Sequence, residues 1–538
     1  MALALEAQVL QAVAEDVVKF QKEKEKIQMK KLHLLLFMGI LFTPMLNAQN
    51  INDALRYSQN DIQGTARYRA LSGAFGALGG DMSAVSANPA GSAVFSQSHA
   101  SFTGSILGTK NDTRYFNGMT STSDSNFDIS QGGASFVFAS NKSQWKKFTI
   151  GIAYDRTKNY NDNWNAVGIN TNDDGNFSNS IASYFFDYAN DPSLPVRLGD
   201  ISLLDGEYIE DAYQDIGNVF GYTHQQAFLG YQAYVLEPDV DDDDNTSYYA
   251  NVNSGNFSHD YLYTSTGYNG KIAFNFATQY DDNLYLGVNL NSHFINYKRS
   301  SSLLEDNSTG GSIEFIDFDN SLTTRGNGFS FQIGGILKLS PEFRIGLTYD
   351  SPTWYTIEEE TSQYINSNLA DSEIEYINSI TNVYPQYKLQ TPGQFTGSLA
   401  YIFGQQGLLS FDYSRKDYSA TLFKPTNDPD FQFQNGNIGN RLQAASTYRL
   451  GGEYKVKQFS FRGGYRFEES PYKDGVTVGD LNGYSLGLGY NFGNTKLDLT
   501  YDQSKRSFET PLYTVGLIDA ASIDRTNSNI TLSLSFNI

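Results

Sequence analysis

The chain has 538 residues, of which 18% are charged, and its formal net charge is -21. Soluble domains contain roughly 25% charged residues, so this chain is poor in charge, whereas it has 37 Tyr, 37 Phe and 48 Gly. The acidic balance argues against a nucleic-acid partner, because nucleic-acid binders usually show a basic patch. Cysteine is absent, which excludes disulfides and thiolate metal sites.

A targeting segment precedes the body of the chain. A basic pair beginning at Lys30 is followed by a mostly apolar stretch and by a cleavage site after Ala48. This order is typical of a secretory signal peptide and not of a membrane-spanning helix. We therefore predict a signal peptide over residues 29–48 and interpret residues 1–28 as an upstream extension from a wrong start. No later apolar run approaches the length of a helical membrane span.

Residues 49–97 show no convincing two-residue alternation. They contain a tract of small residues from Leu71 to Asp81, followed by Asn88-Pro89-Ala90-Gly91. Small residues allow one backbone to approach another closely, so we predict a compact segment packed against a larger structure. Taken alone, Asn-Pro followed by Gly predicts a turn. The glycines of the tract are not followed by the Gly-Lys-Ser/Thr of a phosphate-binding loop.

From about Ser98 to Ile538 apolar and polar residues alternate with the period of a β-strand. The pattern is clearest between Gly326 and Ser351, where two strands of roughly ten residues flank a turn at Pro341. A tilted strand of about 9 to 11 residues crosses a bilayer. We count about 14 such strands, and bacterial single-chain barrels have an even number.

The lengths of the connections separate a barrel from a sandwich. The sequence predicts short turns after even-numbered strands and longer connections after odd-numbered strands, the longest lying between Asp155 and Ser258. Outer-membrane barrels have this asymmetry of periplasmic turns and extracellular loops. We therefore predict an all-β fold, a 14-stranded antiparallel transmembrane β-barrel over residues 98–538, with a long extracellular loop at about 156–258.

Four short motifs follow one another in the chain: Asn88-Pro89-Ala90, the run from Gly328 to Ser351, Thr391-Pro392, and Tyr448 to Tyr454 followed by Arg462 to Tyr465. In this order they resemble the FadL/TodX family, the outer-membrane transporters of long-chain fatty acids and aromatic hydrocarbons. The resemblance implies that residues 49–97 form an N-terminal hatch inside the barrel, to which Asn88, Pro89, Ala90 and Gly91 belong. It also implies capture at the outer loops, an internal pocket and lateral exit after the hatch shifts.

Two sets of residues are candidates for contact with a substrate. The first consists of aromatic residues of the long loop: Phe185, Phe186, Phe228 and Tyr231. They either form a small loop core or line an apolar capture groove. The second consists of arginines on the polar face of predicted strands: Arg344, Arg449 and Arg462. They either pair with acidic groups of the lumen or bind a substrate carboxylate.

No catalytic set, cofactor or metal site is predicted. The histidines lack partners at metal-ligand spacing, no Ser-His-Asp set stands out, and the acidic run Asp241 to Asp244 lacks the spacing of an EF-hand. We expect a monomeric, non-enzymatic barrel among the lipids of the bacterial outer membrane that passively imports a hydrophobic small molecule. The alternatives are a structural or secretion-partner barrel without transport, and a soluble β-rich secreted protein.

Overall fold

A computed structural model describes residues 50–140, 142–370 and 382–538. The predicted signal peptide and upstream extension lie outside these residues. In the described chain, nineteen strand segments form one antiparallel sheet that closes on itself, because the first and last strands pair from His99↔Asn537 to Arg114↔Ser522. When segments that continue in line are counted together, the wall has 14 strands over the described residues. The predicted 14-stranded antiparallel β-barrel is confirmed.

The wall strands are numbered in chain order, and four of them consist of more than one segment. They are β1 (His99–Tyr115), β2 (Gly118–Ala139), β3 (Trp145–Asn159 and Asp162–Asn170), β4 (Phe257–Tyr280), β5 (Leu284–Asn307), β6 (Phe315–Lys338), β7 (Phe343–Asp350 and Trp354–Ser367), β8 (Asn382–Val383, Tyr387–Gln390 and Gln394–Phe403), β9 (Gly407–Asp417 and Leu422–Lys424), β10 (Ala444–Val456), β11 (Phe459–Glu468), β12 (Leu481–Asn491), β13 (Thr495–Pro511) and β14 (Ala520–Asn537).

Apolar side chains face outward from the wall and polar side chains face the lumen. On β6, Phe329 and Ile333 are 48% and 52% exposed, whereas Ser330 and Gln332 are buried. The same alternation recurs on the neighbouring strands and produces an apolar belt around the barrel. Hydrocarbon tails cover such a belt in a membrane, which explains why the apolar side of these strands is the exposed one.

The two ends of the barrel carry different connections. At one end, short turns such as the one around Asp281 join β4 to β5, and similar turns join the other even-numbered strands to their successors. At the other end, the long connection predicted after β1 is wrong, because β1 and β2 meet in a tight turn at Phe116 and Asn117. Both strands continue beyond the apolar belt with mostly polar residues, so apolar alternation does not mark this part of them as strand.

A folded lid, residues 171–256, connects β3 to β4. It contains helices α4 (Ala182–Ala189), α5 (Leu198–Ile201), α6 (Ile209–Phe220) and α7 (Tyr222–Gln232), and a hairpin of Leu236–Pro238 with Tyr248–Ala250. Its core is continuous with apolar residues at the loop ends of β1, β3 to β7 and β14. The lid therefore covers this end of the barrel.

The N-terminal residues 50–98, called the luminal segment, lie inside the barrel. Their helical elements are three short α-helices and one 3-10 turn: α1 (Ile51–Ser58), α2 (Ala66–Ala70), α3 (Met82–Ala87) and Pro89–Val94. A capping box starts α1, because Asn50 Oδ1 accepts from the N–H of Asp53 at 3.2 Å and Asp53 Oδ2 accepts from the N–H of Asn50 at 3.0 Å. A further helix, α8 (Pro429–Arg441), lies between β9 and β10. None of the helices in the described residues is both long and apolar enough to cross a membrane.

Candidate functional site

Glycines on the inner surface of the wall allow the luminal segment to pack closely against it. Seven of them leave no room for a Cβ, because it would lie within 3.0 Å of an atom of this segment: Gly133, Gly287, Gly334, Gly346, Gly451, Gly464 and Gly487. At Gly334 the added Cβ would lie 2.0 Å from Asn88 Oδ1, and at Gly346 it would lie 2.4 Å from the carbonyl oxygen of Gly76. The backbone of the luminal segment thus packs directly against the backbone of the wall at several strands.

Asn88 links the small-residue tract to the wall. Its Nδ2 donates to the carbonyl oxygen of Gly76 at 2.8 Å and to that of Gly335 on β6 at 3.1 Å, while its Oδ1 accepts from the N–H of Ala90 at 3.1 Å. Asn275 on β4 donates to the carbonyl oxygen of Pro89 at 3.0 Å. The structure therefore brings the predicted hatch residues Asn88, Pro89, Ala90 and Gly91 together against β4 to β6. Their role in a moving hatch stays a prediction.

The three predicted arginines have different surroundings. Arg344 donates to the carbonyl oxygen of Leu78 in the luminal segment at 2.9 Å. Arg462 lies between Glu453 and Asp498, with N–O distances of 2.6 Å to each. Arg449 lines a cavity beside the luminal segment. Arg344 and Arg462 thus bind groups of the protein itself. Binding of a substrate carboxylate by the three arginines stays a prediction.

Glu453 also joins the wall to the luminal segment. It accepts from Arg67 Nε of α2 at 2.9 Å, and its side chain is fully buried. The equivalent contact on β13 is a bidentate pair between Arg69 and Asp502, with distances of 2.8 and 3.0 Å. On β9, Asp412 Oδ2 accepts from the backbone N–H groups of Phe75 and Gly76, both at 2.9 Å. Charge-assisted hydrogen bonds of this kind are the strong ones.

The four predicted loop aromatics lie in or beside the core of the lid. Phe185 and Phe228 are fully buried there, and the ring centroid of Phe185 is 5.0 Å from that of Phe318 on β6. Phe186 and Tyr231 are partly buried at the edge of the same core. This placement gives all four a packing role, and capture of substrate by these residues stays a prediction.

Among the cavities in the described part of the chain, two lie next to each other between the luminal segment and the wall. The central chamber, of about 210 Å³, is lined by polar groups that include Asp155, Lys271, Asp350 and Lys416. The arginine chamber, of about 330 Å³, lies between the luminal segment and parts of β1, β3 to β5 and β11 to β14. Residues 61–63 line both chambers and separate them.

Sequence reasoning did not find the arginine chamber. Its basic side chains come from the luminal segment and from strands far apart in the chain, among them Arg56, Arg299, Arg506 and Arg525. In the sequence, the strand arginines are marked only by lying on the polar, inward-facing side of the alternation. That alternation does not reveal which strands lie opposite each other across the lumen.

The wall has a break between β2 and β3. Their backbone pairing runs from Ala139↔Lys147 to Gln131↔Asp155, whereas β2 remains paired with β1 as far as its first residue, Gly118. Beyond the break β3 has a bulge between Arg156 and Lys158, and its second segment pairs with β4. Among the described residues, the hydrogen bonds across the break involve side chains, such as Thr122 Oγ1 donating to the carbonyl oxygen of Asn163 at 2.7 Å, and the backbone of Gly118 packs against that of Val167.

The luminal segment covers the free edge of β3 at this break. Asp61 donates its N–H to the carbonyl oxygen of Thr157 at 2.8 Å, and its carboxylate accepts from the N–H of Asn159 at 3.1 Å and from Lys158 Nζ at 3.0 Å. Arg156 forms an ion pair with Asp128 of β2, and its guanidinium lies 4.2 Å from the ring centroid of Tyr268. Side-chain hydrogen bonds and Asp61 of the luminal segment thus take the place of the missing backbone pairing at the break.

Comparisons with known sequences agree with this architecture. A profile of the family described as "Outer membrane protein transport protein (OMPP1/FadL/TodX)" matches residues 240–511, just over half of the chain. A second profile, of an uncharacterised protein family (UPF0164), matches residues 45–116. A search of curated proteins found no match.

One solved structure shares the fold. A FadL homologue from Pseudomonas aeruginosa aligns with a TM-score of 0.52 at 11% identity, over 89% of this chain and 99% of that chain. The toluene transporter TodX of Pseudomonas putida aligns with a TM-score of 0.48 at 12% identity, over 89% of this chain and 100% of that chain. The toluene transporter TbuX of Ralstonia pickettii aligns with a TM-score of 0.43 at 13% identity, over 88% of this chain and 98% of that chain. The chain belongs to the outer membrane protein transport family (OMPP1/FadL/TodX) and is a transport barrel of the outer membrane.

Proposed function

We propose that the protein lets hydrophobic small molecules cross the outer membrane passively and releases them sideways through the break between β2 and β3. The observation that carries the proposal is this break, because the backbone ladder of the wall stops there and Asp61 of the luminal segment covers the open edge. Long-chain fatty acids and aromatic hydrocarbons are the substrates to test first, since the similar structures are a FadL homologue and toluene transporters.

The proposed route uses the two chambers in turn. A molecule captured at the lid enters the arginine chamber, passes residues 61–63 and reaches the central chamber, whose lining includes Arg156 and Thr157 at the break. A net hydrogen bond contributes about 1 kcal/mol, so release of the contacts of Asp61 costs only a few kcal/mol. Binding of a ligand can offset a cost of this size.

An uptake assay with an engineered bridge tests the route. Because the chain contains no cysteine, Asp128→Cys and Arg156→Cys can be joined selectively by a short bis-maleimide across the break. We expect cells that make the native protein to take up labelled oleate or toluene faster than cells without it, and the bridged variant to lose this gain. The control pair, Asp112→Cys with Ser121→Cys, joins side chains that contact each other within the β1–β2 hairpin.

Two outcomes would contradict the proposal. Undiminished uptake by a fully bridged protein would rule out exit between β2 and β3. Equal uptake with and without the native protein, for every molecule tested, would instead favour a barrel that transports nothing.

A further inference from the structure

We propose that the outer face of the wall binds an anionic phospholipid of the periplasmic leaflet, with an acyl chain in a groove across β8 to β11 and the head group at the neighbouring turns. The inference goes beyond the proposed function and does not rest on it, because this groove faces the bilayer and not the lumen. One lipid is held here more firmly than the lipids along the rest of the apolar belt.

The outer groove lies near the turn end of β8 to β11 and has a volume of about 580 Å³. Its sides are the outward-facing side chains of Phe403, Leu409, Tyr454 and Phe461, which are between 48% and 59% exposed. Gly452 leaves the space between them open, since a Cβ added there would lie 3.2 Å from Leu409 Cδ2. An unbranched hydrocarbon chain fits a surface of this kind, because only apolar side chains and backbone meet it.

The wall behind the outer groove is continuous. β10 is paired through its backbone with β9 on one side and with β11 on the other along the whole length of the groove. Glu453 and Arg462 border the floor, but their side chains point into the lumen, where they pair at 2.6 Å. Within the described wall the groove therefore opens to the bilayer side, where hydrocarbon tails cover the apolar belt.

The turn end of the outer groove is basic. The N–H of Lys455 donates to the carbonyl oxygen of Gln406, which lines the groove, at 2.7 Å. Lys457 lies in the turn that joins β10 to β11 and forms no ion pair within the described residues. The stretches 403–409 and 454–461, which contribute the groove, contain these two lysines and no acidic residue. A negatively charged head group at this end of the groove meets positive charge alone.

Lys455 keeps donors free for a phosphate group. Its Nζ is 3.3 Å from Glu453 Oε1, but the same carboxylate pairs with Arg67 at 2.9 Å and with Arg462 at 2.6 Å. One negative charge thus serves three cations, and the ammonium group of Lys455 is exposed at the rim of the barrel. An ammonium group carries three donors, so a lipid phosphate can bind it without displacing Glu453.

The two ends of the barrel differ in charge, and this difference selects the lipid. The lid, residues 171–256, has 16 acidic residues and a single basic one, Arg197. The turn end, by contrast, presents lysines beside the outer groove, and short turns mark the periplasmic side of a barrel. Lysines next to a membrane-embedded surface attract anionic lipids. Phospholipid forms the periplasmic leaflet, so the occupant is a phospholipid with a net negative charge.

Native mass spectrometry gives a direct test. The delipidated native protein in detergent is titrated with phosphatidylglycerol or with phosphatidylethanolamine that carries the same acyl chains. The ratio of lipid-bound to free protein gives a dissociation constant for each lipid. We expect phosphatidylglycerol to bind at least five-fold more tightly than phosphatidylethanolamine. Heat-modifiable gel mobility confirms that every variant is folded.

The head-group contact is tested with Lys455→Gln/Lys457→Gln. This variant should bind the two lipids equally, because the positive charge at the end of the outer groove is gone. The matched control is Lys142→Gln/Lys146→Gln, which removes the same charge at the turn between β2 and β3 and should keep the full preference.

The acyl-chain contact is tested with Gly452→Leu, whose side chain fills the outer groove. We expect it to weaken the binding of phosphatidylglycerol at least five-fold. The matched control is Gly397→Leu, because Gly397 lies on β8 outside the groove and a Cβ added there would have no atom within 4 Å. If Gly452→Leu does not fold, Tyr454→Ala takes its place, since it removes one side of the groove.

Three results would overturn the lipid site. Equal affinities of the native protein for the two lipids would refute selection of an anionic head group, as would an unchanged preference in the folded Lys455→Gln/Lys457→Gln protein. Equal binding by Gly452→Leu and Gly397→Leu would show that the outer groove does not hold the lipid. A protein dimer that excludes lipid would assign the groove to a second copy of the chain.

Discussion

Asp61 forms a backbone hydrogen bond to Thr157 in the way a neighbouring strand would, with an N–O distance of 2.8 Å. Its carboxylate then accepts from the N–H of Asn159, two residues further along β3. One residue of the luminal segment thus satisfies an edge that β2 leaves unpaired. The position of the luminal segment and the closure of the wall are therefore linked through this residue.

Replacing Asp61 with Ala should loosen the edge of β3. The change removes the acceptor for the N–H of Asn159 and the partner of Lys158. A hydrogen bond to a charged group contributes about 1.5 kcal/mol or more, and 1.4 kcal/mol is a factor of ten in an equilibrium. Loss of this bond should therefore raise the amide exchange rate of Asn159 about ten-fold or more. Hydrogen exchange with mass spectrometry measures this rate. Asp112→Ala, on the exposed surface of β1, is the control, and equal exchange in both variants would show that Asp61 does not protect the edge.

A disulfide between the luminal segment and the wall should stop transport. Ser72 Oγ and Ser485 Oγ are 2.8 Å apart, so Ser72→Cys/Ser485→Cys joins the segment to β12. If the segment must shift, oxidation lowers uptake of oleate severalfold and reduction restores it. The matched control is Ser105→Cys/Ser130→Cys, whose oxygens are 3.0 Å apart but both belong to the wall. Full uptake by the oxidised Ser72–Ser485 protein would show that this part of the segment stays in place during transport.

A methyl group at Gly334 should displace the luminal segment without disturbing the barrel. The added Cβ would lie 2.0 Å from Asn88 Oδ1 and 2.8 Å from Pro89 Cδ. We expect Gly334→Ala to speed proteolysis of the segment while the barrel keeps its heat-modifiable mobility. Gly335→Ala is the control, because the next residue faces outward and its Cβ would have contacts of 3.6 Å or more. Equal proteolysis of the two variants would mean that the glycine fit is not required.

The lid should lose stability at acid pH through His224. Burial lowers the pKa of His224 from 6.5 to about 4, and its Nδ1 has no hydrogen-bond partner among the described residues. As the pH falls from 6.5 to 4, the unfolded lid binds a proton that the folded lid resists, so stability decreases in this window and is constant above it. One pKa unit corresponds to about 1.4 kcal/mol, so the full loss is of the order of 3 kcal/mol.

Amide exchange in α7, measured at pH 7 and pH 4.5 and corrected for intrinsic rates, tests this effect. The acid-induced loss of protection should be smaller in His224→Gln, which cannot titrate. An aspartate ordinarily titrates below the pH range of this experiment, but burial raises the pKa of Asp187 in the lid. Asp187→Asn is therefore measured in parallel. An identical loss in native protein and His224→Gln would assign the effect to other groups.

Alternation and connection lengths were enough to predict the barrel. The pattern around Phe329 and Phe343 gives the strand period, and the strand count follows from repeating the same test along the chain. The hairpin of β1 and β2 extends to its turn at Phe116, and this extension was missed because both faces of its strands carry mostly polar side chains. A strand that projects beyond the apolar belt has no apolar face, so hydropathy does not reveal it.

The candidate site was only partly predictable, because distance across the lumen is not encoded in local pattern. The Asn-Pro motif at Asn88 predicted a turn or part of a hatch, and the structure shows that its amide donates to the carbonyl groups of Gly76 and Gly335. Arg462 carried the right parity but pairs with protein carboxylates. Arg299 has equal parity and no such partner among the described residues, and only the three-dimensional arrangement distinguishes the two.

The seam between β1 and β14 has a consequence for biogenesis. Ile106 pairs with Ile530, so the cylinder cannot be sealed until the final strand is available, however early the first strand emerges. Contacts of such high sequence separation fold slowly and leave unpaired strand edges exposed in the meantime. The exported polypeptide must therefore travel to the membrane unfolded and shielded from aggregation, and its own leading residues must be enclosed at the moment the ring shuts.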